Sequence, residues 1–165
     1  MTTSYAPENF RDVGEALALW LSDPPIAPNL LLRGGKLDSL TLHADIAHAR
    51  TIINLREVAD EAQWTDVTYL HVPAPRDAER YDTSQHLVRD WIRRLLTVLD
   101  DGALPRPIYL HCARGRDRTG LVIAAWLLAK GVEMDVVIEE YMLSSTASDP
   151  LDRARVAQAM ARLTI

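Results

Sequence analysis

The segment from Ile108 to Lys130 constrains the fold of this chain more than any other, because its second half needs apolar cover on nearly every side. Residues 121–129 read LVIAAWLLA without a single charge, and Gly131 stands where a helix commonly ends. The apolar run Ile108–His111 ahead of it is too short for a helix and is typical of a buried strand. We therefore predict a strand, a loop and a buried helix in succession.

The other apolar runs alternate in the same way between strand and helix patterns. Further strands are predicted at Leu30–Leu32, Thr51–Leu55 and Val67–Val72. Helical spacing of apolar residues predicts helices near residues 42–49 and at Thr83–Leu99, Asp135–Leu143 and Asp152–Leu163. This alternation indicates an α/β protein with a largely parallel central sheet flanked by helices, in which ligands bind beyond the carboxyl ends of the strands.

Length and charge limit the classes of function. With 165 residues, 48% of them hydrophobic, the chain has the size of a single domain spanning residues 1–165. Its formal net charge of −5 argues against nucleic acid and anionic membranes as partners, so a bound anion must meet locally concentrated positive charge. Neither a secretory signal nor a long apolar span stands in the sequence, so we expect a cytoplasmic protein without stable membrane association. The oligomeric state stays open.

The chain has one cysteine, Cys112, which therefore needs an explanation of its own. A lone cysteine forms no internal disulfide and no four-cysteine metal site, and the five histidines show no compact ligand spacing. We expect no metal and no other cofactor. A small buried thiol is the ordinary fate of a single cysteine, but arginines rather than apolar residues follow this one.

The loop between the predicted strand and the buried helix reads HCARGRDRTG from His111 to Gly120. It resembles the signature of the cysteine-dependent phosphatases, which is His-Cys, five residues, Arg, and then Ser or Thr. A loop of this length before a helix can point successive backbone N–H groups at one centre, where they hold phosphate oxygens and stabilise a thiolate. The resemblance implies the tyrosine phosphatase fold and hydrolysis of phosphomonoesters through a cysteinyl-phosphate.

Four residues of this loop receive catalytic or supporting roles. Cys112 is the expected nucleophile, and Arg118, on the first turn of the helix, can offer a planar fork to two phosphate oxygens. As in the family, Thr119 would hydrogen-bond the departing sulfur, and His111 would order the loop from behind. The expected substrate-binding residues are Ala113, Arg114, Gly115, Arg116, Asp117 and Arg118.

The resemblance also implies a general acid, an aspartate some 30 residues before the cysteine. Asp82 lies 30 residues before Cys112 but stands directly ahead of a predicted helix, where an N-cap aspartate is the ordinary expectation. Asp77 lies 35 residues before Cys112, about six residues ahead of that helix, as the acid does in small dual-specificity phosphatases. We favour Asp77, with Asp82 and the loop residue Asp117 as alternatives.

Three further segments, NFRDV at 9–13, LRGGKL at 32–37 and TIINLRE at 51–57, resemble the atypical and bacterial tyrosine phosphatases. Taken together with the cysteine loop, in this order along the chain, these segments extend the resemblance over nearly the whole sequence. One departure is Gly34, where that branch often has serine.

Three more arginines have open roles. Arg56 would lie at a strand end on the catalytic side, where it contacts substrate or pairs with an acid such as Glu57 or Asp60. Arg114 and Arg116 would add positive potential at the mouth of the site, or would simply be solvated.

The leading hypothesis is a phosphotyrosine or dual-specificity phosphoprotein phosphatase that acts on phosphorylated proteins or on small anionic phosphoesters. An inositol phosphate or phosphoinositide phosphatase with the same mechanism is the alternative substrate class. A catalytically inactive phosphate-binding domain and a sulfurtransferase with a rhodanese-like cysteine loop are alternatives of other classes. The exit of the loop through Arg118, Thr119 and Gly120 into a helix favours the phosphatase.

Overall fold

The computed structural model describes residues 5–76, 78 and 81–163. The strands are β1 (Arg11–Asp12), β2 (Leu31–Gly34), β3 (Thr51–Asn54), β4 (Thr68–His71) and β5 (Ile108–His111). The helices are α1 (Val13–Leu17), α2 (His86–Leu99), α3 (Asp117–Ala129), α4 (Met134–Met142) and α5 (Arg153–Ala161). Within the described ranges, no helix is long and apolar enough to cross a membrane.

The five strands form one sheet in the order β1-β2-β5-β3-β4. All neighbours run parallel except β1, which pairs antiparallel with β2 at the edge. The prediction of a largely parallel sheet is confirmed. Because Gly34, His111 and Asn54 are in register, the carboxyl ends of β2, β5 and β3 lie side by side at one edge of the sheet.

The charge-free helix α3 is the centre of the larger core, as its sequence predicts. Its residues from Thr119 to Leu127 are all buried. Gly131 follows with a φ of +82°, and its N–H donates to the carbonyl of Leu128, which ends the helix as the sequence indicates. α2 covers this core with the apolar face that the sequence predicts, formed by Val88, Trp91, Ile92, Leu95 and Leu99.

The structure differs from the sequence-based elements near residues 42–49. The predicted helix there is a single 3₁₀ turn, His43–Ile46, because Ala47 and His48 both adopt the left-handed region, with φ values of 51° and 53°. The short elements β1 and α1 were not predicted, since two and five residues carry too little periodicity to be recognised.

Candidate active site

The cysteine loop connects the carboxyl end of the central strand β5 to α3, so its backbone lies against the end of β2. Cys112 is the first residue after β5, and its exposure is only 2%. Gly115 has a φ of +70°, and a Cβ atom there would lie 2.3 Å from the carbonyl carbon of Gly34. Both the backbone conformation and the close approach to β2 therefore require glycine at this position.

Four successive carbonyl groups of the loop accept hydrogen bonds from groups that surround the loop. The donors, in chain order of the carbonyls at residues 112 to 115, are His111 Nδ1 at 3.1 Å, the Lys36 amide at 3.0 Å, Asn9 Nδ2 at 3.0 Å and Arg33 Nη2 at 2.9 Å. In a planar trans peptide the C=O and N–H groups point in opposite directions. The amides that follow these carbonyls, at residues 113 to 116, are therefore directed away from the donors.

His111 lies behind the loop, where the sequence analysis puts it. Its Nδ1 faces the carbonyl of Cys112, which can only accept, so this nitrogen carries a proton. Its Nε2 lies 2.7 Å from Oδ2 of Asp60, and both side chains are fully buried. Tyr109 stacks on the imidazole ring, with 5.3 Å between centroids. Asp60 is thus a partner of the site that the sequence analysis considered only for Arg56.

Arg118, on the first turn of α3, lines a cavity of about 490 Å³ beside the loop. Two more arginines, Arg56 and Arg76, and one acid, Glu57, line the same cavity. Arg56 also lies 3.6 Å from Oδ1 of Asp60. The two roles considered for Arg56 are therefore compatible, because it pairs with an acid and still faces the cavity that Arg118 lines.

Arg114 and Arg116, for which either added positive potential or plain solvation was expected, are both paired with acids. Arg114 pairs with Glu8 at 3.0 Å and with Asp149 at 2.5 Å. Arg116 is 6% exposed and lies 2.8 Å from the same Asp149 carboxylate, whose pKa is lowered by its hydrogen bond with Arg114 and by the charges of both arginines. The carboxylates of these acids offset the charges of both arginines. The two side chains are therefore ion-paired rather than simply solvated.

The three aspartates considered as the general acid have different surroundings or lie outside the described residues. Asp77 lies outside the described residues. Asp82 accepts hydrogen bonds from Ser84 and Gln85, which lower its pKa and oppose the protonated form that a general acid needs. It is not the helix cap that the sequence analysis expected, because α2 begins at His86 and its N-cap is Gln85.

Asp82 also faces another part of the molecule. It lines a cavity of about 420 Å³ together with Arg155 and Arg162 from the C-terminal part of the chain. Asp117 accepts a short hydrogen bond from the hydroxyl of Tyr81, whose own pKa is raised by burial and by this bond. The Tyr81 hydroxyl thus already occupies one carboxylate oxygen of Asp117.

Thr119 is fully buried, and its hydroxyl has no hydrogen-bond partner among the described residues. A buried hydroxyl without a partner costs free energy, on the order of 1–3 kcal/mol. Such groups in native proteins are often kept for a functional reason. The expected hydrogen bond to the sulfur of Cys112 is not formed here, and the hydroxyl remains available for it.

A buried ion network on the β2 side of the loop was not predicted. Arg33 and Glu140 are 0% and 1% exposed, and Arg33 Nη1 lies 2.7 Å from Glu140 Oε2. Arg11 pairs with the other carboxylate oxygen at 2.9 Å, and burial together with the neighbouring Arg33 charge lowers the pKa of Arg11 to about 10. The signal in the sequence was an arginine inside the otherwise apolar strand β2, where an unpaired charge is not tolerated.

The comparisons with known proteins agree with this geometry. The model of the tyrosine phosphatase family matches residues 5–164. The chain belongs to this family. Over 67 residues it is 42% identical to the triple specificity protein phosphatase PtpB of Mycobacterium tuberculosis, a match that covers 41% of this chain and 23% of PtpB. The chain thus matches less than a quarter of the length of this curated relative.

Solved structures of other phosphatases share the fold. The core catalytic domain of the PP-IP phosphatase SIW14 from S. cerevisiae has a TM-score of 0.65 and 17% identity, covering 96% of this chain and 87% of that one. TpbA from P. aeruginosa has a TM-score of 0.53 and 21% identity, covering 80% of this chain and 86% of that one. At these identities the likeness establishes the tyrosine phosphatase fold and nothing finer.

Proposed function

We propose that this chain hydrolyses phosphomonoesters in two steps, with Cys112 as the nucleophile. The observation that carries the proposal is the loop itself, which joins a buried cysteine at the end of the central strand to Arg118 on the next helix. Its carbonyls at residues 112 to 115 are held on the outside, which leaves the opposite side of each peptide for an oxyanion. Membership of the tyrosine phosphatase family supports the same reaction.

In the first step, the thiolate of Cys112 attacks phosphorus and the bond to the ester oxygen breaks. The departing oxygen takes a proton from the general acid, for which we propose Asp77. In the second step a water molecule attacks the cysteinyl-phosphate, gives its proton to the same aspartate and releases inorganic phosphate. Arg118 holds two equatorial oxygens throughout, and the free hydroxyl of Thr119 donates to the sulfur as it leaves.

Asp77 is proposed because its neighbour Arg76 lines the cavity shared with Arg118, whereas Asp82 lines a different cavity. The protein would act on phosphotyrosine or dual-specificity phosphoprotein substrates as a single phosphatase domain, residues 1–165. A cytoplasmic location belongs to the proposal, because a reactive thiolate is kept reduced there.

A second substrate class is favoured by one observation. Arg56, Arg76 and Arg118 line one cavity with a single acid, Glu57, so a substrate with several phosphate groups would find more than one cation there. Inositol phosphates and phosphoinositides have this property. SIW14, which shares this fold, is a PP-IP phosphatase, and this supports including such substrates in the test.

The function is tested by assaying the purified protein on an aryl phosphate in the presence of a metal chelator. We expect turnover without added metal, and acid quenching should trap one phosphoryl group on the peptide that contains Cys112. A panel of phosphotyrosine and phosphoserine peptides, inositol phosphates and phosphoinositides then ranks the substrate classes by kcat/KM. Absence of turnover on every member would leave an inactive phosphate-binding domain, and phosphate on any other residue would remove Cys112 from its role.

The general acid is tested through the leaving group, because proton donation matters most when the departing oxygen is a poor leaving group. Asp77→Asn is expected to slow phenyl phosphate roughly 10²-fold or more, to slow a nitrophenyl ester far less, and to erase the basic limb of the pH profile. Asp82→Asn is the matched control and should do neither. The reverse pattern would move the role to Asp82, and no effect in either variant would point to Asp117 or to the substrate's own proton.

A further inference from the structure

We propose that Asn9 and Arg33 are positioning residues, which set the direction of two backbone amides in the cysteine loop. This inference rests on the proposed function in one respect, that the loop is the oxyanion site. Asn9 Nδ2 donates to the carbonyl of Arg114, and Arg33 Nη2 donates to the carbonyl of Gly115. Asn9 belongs to the segment 9–13 and Arg33 to the segment 32–37, two of the segments that resemble the atypical and bacterial tyrosine phosphatases. Contact with the loop gives a physical reason for these residues.

Each peptide plane of the loop couples a carbonyl to the amide that follows it. The carbonyl of residue 114 shares a plane with the amide of Gly115, and the carbonyl of Gly115 shares one with the amide of Arg116. A donor that holds the carbonyl outward therefore holds the amide inward, toward a bound oxyanion. Gly115 makes this support necessary, since a glycine with a φ of +70° has no side chain to restrict the rotation of its two neighbouring peptides.

Arg33 is suited to this role by the separation of its two terminal nitrogens. Nη1 binds the buried carboxylate of Glu140 at 2.7 Å, and Nη2 binds the carbonyl of Gly115 at 2.9 Å. The side chain is 0% exposed, so both groups have to be satisfied inside the protein. A lysine keeps the charge for Glu140 but has a single nitrogen, which cannot take the same two positions.

Asn9 combines two properties that few other residues share. Its φ of 56° lies in the left-handed region, which asparagine tolerates better than most residues. Its side-chain amide then reaches the carbonyl of Arg114 at 3.0 Å. The segment is tied to the end of β2 by the hydrogen bond from the Gly35 amide to the carbonyl of Glu8, at 2.7 Å.

Each position has a matched control in this chain. Asn29 also has a left-handed φ, 62°, but its hydrogen bond runs from its backbone amide to Asp12 rather than to the loop, so Asn29→Ala carries the same kind of backbone cost as Asn9→Ala without that contact. Arg11 binds Glu140 and Ser144 without contacting the loop, so Arg11→Lys disturbs the same buried carboxylate as Arg33→Lys. Differences within each pair therefore report the contact with the loop carbonyl.

The experiment measures the Kd of inorganic tungstate, a tetrahedral oxyanion, by calorimetry for the wild type and the four variants. We expect Asn9→Ala and Arg33→Lys to raise Kd about tenfold or more, because an amide that turns away removes one hydrogen bond to a charged ligand. Asn29→Ala and Arg11→Lys should stay within about twofold of the wild type, although their unfolding midpoints fall. With an aryl phosphate, Asn9→Ala should lower kcat/KM in proportion.

Equal Kd values for Asn9→Ala and Asn29→Ala would overturn the role of Asn9, and equal values for Arg33→Lys and Arg11→Lys would overturn that of Arg33. If Arg33→Lys does not fold, the asparagine pair decides alone. If the wild type binds tungstate but hydrolyses no phosphoester, the proposed function is wrong. The Kd values of the four variants would still test the positioning role of Asn9 and Arg33. A wild type that binds no tungstate would overturn both.

Discussion

Replacing Cys112 with serine is expected to lower turnover of an aryl phosphate by at least about 10⁴-fold. The serine hydroxyl has the position of the thiol but stays protonated at neutral pH, and it leaves phosphorus far less readily than a thiolate does. Steady-state assays with a nitrophenyl-type ester measure the loss, and acid quenching should trap no phosphorylated enzyme.

The same variant should keep its fold and its affinity for oxyanions. Cys112 is 2% exposed and serine is slightly smaller, so the core loses little, while every backbone group of the loop remains. An unfolding midpoint near that of the wild type and an unchanged Kd for tungstate are the controls. Turnover within tenfold of the wild type would mean that another group attacks phosphorus.

Arg118→Lys is expected to lower kcat by roughly 10²–10³-fold, which corresponds to about 2.7–4 kcal/mol of transition-state stabilisation. The guanidinium offers two parallel N–H groups to oxygens that spread apart in the trigonal bipyramidal transition state, and an ammonium offers one charge without that geometry. The loss should fall mainly on kcat, because the ground-state phosphate still meets a positive charge.

Arg93→Lys is the control for this change, since Arg93 is exposed on α2 and pairs with Asp90 rather than with the loop. It should leave both kcat and KM unchanged. Near-normal kcat in Arg118→Lys would place the phosphate clamp elsewhere, and Arg56 or Arg76, which line the same cavity, would be the next residues to test.

The parts of the site that are close together in the chain could be predicted from the sequence. Cys112 and Arg118 are six residues apart, and the strand before them and the helix after them are contiguous with the loop. The strand and the helix can both be recognised from the sequence, because β5 is a short apolar run and α3 has no charge after Arg118. Together they define where the loop begins and ends. The same reasoning explains why the bounds of β5 were predicted without error.

The partners of individual side chains were predicted less well than the strands and helices, because several groups can compete to bind one side chain. Asp82 was expected to cap a helix that starts at residue 83, yet three more residues form a turn before α2 begins at His86. Helix ends depend on which backbone groups find partners, so a sequence pattern specifies the end of a helix less closely than its interior. Arg114 and Arg116 look like free charges in the sequence, because Glu8 and Asp149 are distant in the chain.

The supports of the loop could be known only from the folded molecule. Asn9 reaches the loop across 105 residues of sequence, Arg33 across 82 and Asp60 across 51. The sequence shows that an arginine in an apolar strand needs a partner, because a buried charge is costly without one. Which carboxylate and which carbonyl become its partners depends on how the sheet orders its strands and how α4 packs beside them, since these bring together groups that no local pattern relates.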